Sequence, residues 1–125
     1  MSESDPTILV AQILHRAQKA ATYVEGLDKE SFLSDTRTQE AVVLNLLVIG
    51  EAASRLSKRH SDFIAKYPEV PWLQMQGMRN RIAHGYSDIN MHVVWNAVQE
   101  ALPEIVLALS KTDISMPVEP KNKDS

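Results

Sequence analysis

A chain of 125 residues is the usual size of one domain, so a single hydrophobic core is expected and two domains are not. With 44% hydrophobic and 23% charged residues the composition excludes a disordered chain, and the absence of cysteine excludes disulfides, thiol nucleophiles and thiolate metal sites. The formal charge of −3 excludes a surface that is basic throughout, so any nucleic-acid site has to be local.

The apolar spacing is helical nearly everywhere, and strand-like alternation is absent. Asp5-Pro6 offers an N-cap and a first-turn proline, and Val10, Leu14, Ala17, Ala21 and Val24 then recur at steps of three and four until Gly26 stops the helix. A short helical turn is expected around Lys29 to Leu33. Asp35 and Thr36 offer caps for a long second helix, about Arg37 to Ser57, with Thr36 and Gln39 at capping-box spacing. Its stretch from Ala41 to Ile49 is apolar on almost every face, more than a monomer core requires, which points to burial on two sides and to a second copy of the chain as the outer partner. Asn45 and Glu51 interrupt that stretch: the first is a candidate for setting helix register, the second for pairing with a basic group. Arg55, Lys58, Arg59 and His60 suit the negative end of the helix dipole.

A turn around Phe63 to Tyr67 precedes a third helix that starts at Pro71, runs through Trp72, Met75, Met78 and Ile82, and ends near His84 before Gly85. Asp88 or Asn90 caps a fourth helix, with Val94, Val98 and Leu102 on one face. Pro103 inside that pattern predicts a kink or break, with the helix resuming to about Ser110. The expected organisation is therefore an all-α helical domain over residues 1–110 and a flexible C-terminal tail over 111–125. The N-terminus lacks a basic stretch followed by an apolar run, and no run of about 18 apolar residues occurs, so a cytoplasmic protein without a membrane segment is expected.

Residues 71–87 contain no carboxylate and concentrate Arg79, Asn80, Arg81, His84 and Tyr86. A guanidinium binds a phosphate through two parallel hydrogen bonds and stabilises charge building on its oxygens. An imidazole titrating near neutrality can take a proton from a ribose 2′-hydroxyl or give one to the leaving 5′-oxygen. On a helix Asn80 and His84 share a face, whereas Arg79 lies about 140° from His84, so convergence needs a long reach or an unwound last turn. One well-placed histidine per chain also means that a base and an acid together require two copies. The competing reading of the same residues is a surface helix end, with the histidine on carbonyls and the arginine on a carboxylate. His15, His60 and His92 are isolated, Trp72, Trp95 and the methionines at helical spacing read as core, and no metal-binding or phosphate-loop pattern is present. Neither a metal nor a cofactor is expected.

Arg79, His84 and Tyr86 fit an Arg-x4-His-x-Tyr pattern, and with Val48-Ile49-Gly50-Glu51-Ala52, Pro71-Trp72, Gly77-Met78-Arg79-Asn80, Asp88-Ile89 and Val94-Trp95 the chain resembles the HepT-like toxins of the HEPN superfamily over about residues 5 to 110. The resemblance implies an up-and-down bundle of four to five helices forming a homodimer, with both copies of the motif lining one cleft. It implies a metal-independent endoribonuclease that leaves a 2′,3′-cyclic phosphate and a 5′-hydroxyl on RNA, either messenger or transfer. His84 would be the acid/base, Arg79 the phosphate clamp and Asn80 a polar group orienting the cleft. Such toxins pair with a small nucleotidyltransferase antitoxin of the MNT type that transfers AMP to the motif tyrosine, here Tyr86. The alternative is a non-catalytic helical subunit that binds a nucleotide or docks the nucleotidyltransferase. A DNA-binding regulator fits poorly, for want of a basic recognition helix.

Overall fold

The computed structural model describes residues 5–83 and 89–115, and every regular element among them is helical. In chain order these are α1 (Pro6–Tyr23), α2 (Lys29–Leu33), α3 (Thr36–Arg59), α4 (Ser61–Ala65), α5 (Trp72–Ala83) and a C-terminal rod. The rod consists of α6 (Met91–Asn96), one π turn (Ala97–Ala101) and α7 (Leu102–Ser110). Helix α3 is the central element, packed against α1 on one side and α5 on the other, while the rod lies against α1 and α3. No described helix is long and apolar enough to cross a membrane.

The helix starts are written in short polar side chains. Asp5 accepts from the Thr7 backbone N–H at 2.9 Å, Asp28 from Ser31 at 2.8 Å, Asp35 from Thr38 at 3.1 Å and Asn90 from His92 at 2.9 Å. Each satisfies a donor that the first helical turn leaves without an intrahelical partner. The capping-box spacing of Thr36 and Gln39 goes unused. Asp35 is the cap, and Gln39 Nε2 instead donates to the Phe32 carbonyl at 2.9 Å, tying α3 to the end of α2. Gly26, at φ +83°, is the one described residue in the left-handed region and turns the chain out of α1.

The buried face of α1 is Leu9, Val10, Ile13, Ala17, Ala20 and Val24. Ala21, expected inward, is exposed, and Leu14 is half-buried. Both sets repeat with helical period, and contact with α3 selects the set centred on Ile13. On α3, Val42, Leu46, Ile49, Ala53 and Leu56 are buried, but Leu44 is 57% exposed and Leu47 and Val48 are half-buried. The apolar stretch is thus covered by its own chain on one side and open on the other. Trp72, Met75, Met78 and Ile82 of α5 are core residues, with Trp72 Nε1 donating to the Tyr67 carbonyl at 2.9 Å. Trp95 packs its ring on Phe32, centroids 5.3 Å apart.

At Pro103 the expected break takes a milder form. Proline lacks the N–H of an i→i−4 bond and its ring crowds the carbonyl four residues back. The preceding turn widens into a π turn, in which the Leu102 N–H reaches the Ala97 carbonyl, and α7 continues to Ser110. Beyond Ser110 the chain stays on the body as far as Ile114, which packs on the core, and Asp113 accepts from the Tyr67 hydroxyl at 3.0 Å.

Candidate functional site

The position of Arg79 follows from a glycine. Gly50 faces α5 from the middle of α3, where a Cβ would stand 2.5 Å from Arg79 Cβ and 3.2 Å from both the Arg79 nitrogen and the Met75 carbonyl oxygen. Because no side chain separates the two helices there, the α5 backbone rests directly on α3, and Arg79 emerges beside Glu51, the residue after the glycine. Arg79 Nε lies 3.4 Å from Glu51 Oε1, and Arg55 Nε lies 3.8 Å from Glu51 Oε2. One carboxylate thus collects two guanidinium groups and leaves the cluster with a net positive charge. All three side chains are about half exposed, so each ion pair stabilises the fold by no more than about 1 kcal/mol. The effect of the cluster is directional: Glu51 engages Nε of Arg79, and among the described residues no other ion pair to Arg79 is found.

Asn80 is exposed and, one residue on from Arg79, projects from a different face of α5. His84 and Tyr86 lie outside the described residues. The structure therefore brings Arg79 to Glu51, which it shares with Arg55. The pairing of Glu51 with a basic group, expected from sequence, is found, and its partners are Arg79 and Arg55. Arg55 itself escaped the sequence reading as a member of the site, because its place near the helix end gave it another explanation. The isolated glycine inside an otherwise apolar helix was the available signal for the close approach.

Elsewhere on α3, Asn45 is 2% exposed, and its Oδ1 accepts from Arg16 Nη1 at 3.2 Å across the seam with α1. Asn45 thus bonds across a helix seam within one chain. Among the described residues no group of three or more His, Asp or Glu stands close enough to hold a metal ion.

The sequence pattern of the family described as ribonuclease HepT-like matches residues 13–112. A candidate RNase of Methanocaldococcus jannaschii is 35% identical over 103 residues, 82% of this chain and 83% of that one. Another, from Caldanaerobacter subterraneus, is 31% identical over 100 residues, covering 80% and 87%. A Thermococcus cleftensis protein named "Probable ribonuclease HepT" is 38% identical over 76 residues, covering 61% and 66%. No solved structure matches the chain. The chain belongs to the HepT-like ribonuclease family of the HEPN superfamily.

Proposed function

We propose that the protein is an endoribonuclease toxin that acts as a homodimer without a metal ion, with Arg79, Asn80 and His84 of two copies lining one cleft. The observation that carries this reading is the seating of Arg79. Its Nε is engaged by Glu51, its backbone is pressed against Gly50, and its terminal nitrogens are left for a phosphate. In the proposed reaction His84 of one copy takes the proton of the 2′-hydroxyl as O2′ attacks phosphorus. The bond from phosphorus to O5′ breaks, and His84 of the other copy gives O5′ its proton. The products are a 2′,3′-cyclic phosphate and a 5′-hydroxyl. Arg79 stabilises the charge that builds on the non-bridging oxygens, and Asn80 orients groups in the cleft. The open strip of α3 around Leu44, Leu47 and Val48 supports the dimer, since apolar surface of this kind is what a second copy would cover. The proposed antagonist is a nucleotidyltransferase of the MNT type that places AMP on Tyr86, where the added phosphate would compete for Arg79.

The test is incubation with total RNA in EDTA beside His84→Ala, the new ends being assayed for cyclic phosphate. Intact mass beforehand reads any AMP on Tyr86, and light scattering should give about twice the 14.0 kDa chain mass for both proteins. Cyclic-phosphate fragments from the native protein alone are expected. Equal inertness of the two proteins, with Tyr86 unmodified, would favour the non-catalytic binding subunit.

A further inference from the structure

The Arg16–Asn45 pair is a cationic feature that the Arg79 site does not use. Asn45 is buried and fully directed, Nδ2 donating to the Ala41 carbonyl at 2.8 Å while Oδ1 accepts from Arg16. That acceptor is a neutral amide oxygen, so it holds the guanidinium in place without cancelling its charge. Arg16 Nε is buried with no hydrogen-bond partner among the described residues. The seam does not supply that donor's acceptor, and a small outward rotation would present Nε together with a terminal nitrogen to an anion in the two-bond geometry of a phosphate.

The surroundings of Arg16 suit such an anion. Arg16, Lys19 and Tyr23, at i, i+3 and i+7, share one stripe of α1. Lys19 and Tyr23, with His15, Gln18 and Thr22, line a groove of about 270 Å³, and Tyr23 is 42% exposed. From Pro6 to Val24 there is no Asp or Glu, in a chain whose net charge is −3. The cleft of about 350 Å³ between α5 and the rod is different: it is lined by Arg81 with Glu100 and Glu104, two carboxylates that would repel a phosphate chain. Along α3, Asn45 precedes Glu51 by six residues, an offset of about 9 Å along the axis at 1.5 Å per residue.

Resting on the ribonuclease reading, we infer that this stripe of α1 is an accessory track for single-stranded RNA. Arg16 and Lys19 take backbone phosphates outside the scissile one, and Tyr23 stacks on a base. Cations that follow the backbone and an aromatic ring that accepts any base are the ordinary means of holding a single strand.

Binding of a fluorescein-labelled, 2′-O-methylated oligouridylate, which cannot be cleaved by 2′-hydroxyl attack, tests the track by anisotropy between about 50 and 200 mM salt. Each phosphate contact on a single strand adds about 0.7 to the slope of log affinity against log salt. The double variant Arg16→Gln/Lys19→Gln should lower the slope by about 1.4, whereas Arg16→Lys, which keeps the charge, should retain it. Tyr23→Ala should weaken binding about tenfold at unchanged slope, with Tyr23→Phe close to native. Lys111→Gln, the loss of one charge at the exposed C-terminal cap of α7, should leave the slope alone. A native slope in the double variant, or a drop of about 0.7 with Lys111→Gln, overturns the track and leaves the nuclease standing. Native protein that binds this RNA with no salt dependence overturns the ribonuclease reading itself.

Discussion

Arg79 and Glu51 form an ion pair whose exposure makes it nearly worthless for stability, and that is informative about what the pair does. A guanidinium left free would sample many rotamers. Tied by Nε to a residue of the central helix, it presents its remaining nitrogens in one direction. Arg79→Lys removes the two-pronged geometry while keeping the charge, and should cost about 10²- to 10³-fold in kcat on RNA. Glu51→Gln should lower kcat/KM by a smaller factor while the melting temperature stays within a couple of degrees of native. Steady-state cleavage assays and thermal melts of the two variants check this, and an active Arg79→Lys would remove Arg79 from the chemistry. Arg79 could be picked out from sequence because it stands at a set spacing from a histidine and a tyrosine. Glu51 was conspicuous as a charge in an apolar run, but its partners were hidden: Arg79 is distant in sequence, and nothing in a helical period says which helix α3 touches at that level.

Among the elements, the contact of α3 with α5 carries the most specific demand. Gly50→Ala places a methyl group against the Arg79 Cβ and the α5 backbone, neither of which can move like the tip of a side chain. The α5 helix must shift outward. Such overpacking costs about 1–3 kcal/mol, a loss of several degrees in melting temperature. Calorimetry and cleavage assays should show activity falling further than stability explains at a temperature where the variant is fully folded, because the shift moves Arg79. Helix positions were largely legible in the sequence, since aspartate and asparagine caps, Pro6, Gly26 and the apolar period act locally. Finer features were not. Leu14 and Ala21 match a helical period as well as Ile13 and Ala20 do, and packing on α3 decides between them. Pro103 announces a disturbance, but a break and a π turn both satisfy its missing N–H, and the apolar residues on either side of it favour continuity.

For the molecule as a whole, stability should have limits at both ends of the pH scale. Hydrogen bonds from Thr7, Ser31 and Thr38 hold the carboxyls of Asp5, Asp28 and Asp35 below the ordinary value of 3.8. Their stabilising contribution is complete above that value and is lost as the pH falls through the lowered folded-state values. The bond to Asp113 raises the Tyr67 hydroxyl above its ordinary 10.0, so its contribution is complete below 10.0 and is lost as the pH rises through the raised value. Melting temperatures across pH should fall below about 4 and again above about 10, with Asp35→Asn blunting the acid limb and Tyr67→Phe the alkaline one. A flat acid limb in the native protein would show that the caps titrate as free carboxylates do. The all-helical architecture was readable in advance because every segment carries the same period. The open strip of α3 was foreseen as an apolar surplus, and helical periodicity does not show which part of such a surplus stays uncovered. The glycine contact also bears on how this fold can change over time. Core positions such as Ile49 or Met75 ask only for volume, so substitutions there can compensate one another and the interior can drift. Position 50 asks for the absence of a side chain, which no change at a neighbour can supply. The address of Arg79 is thus kept by a residue that has no chemistry of its own, and variation tolerated throughout the core should stop there.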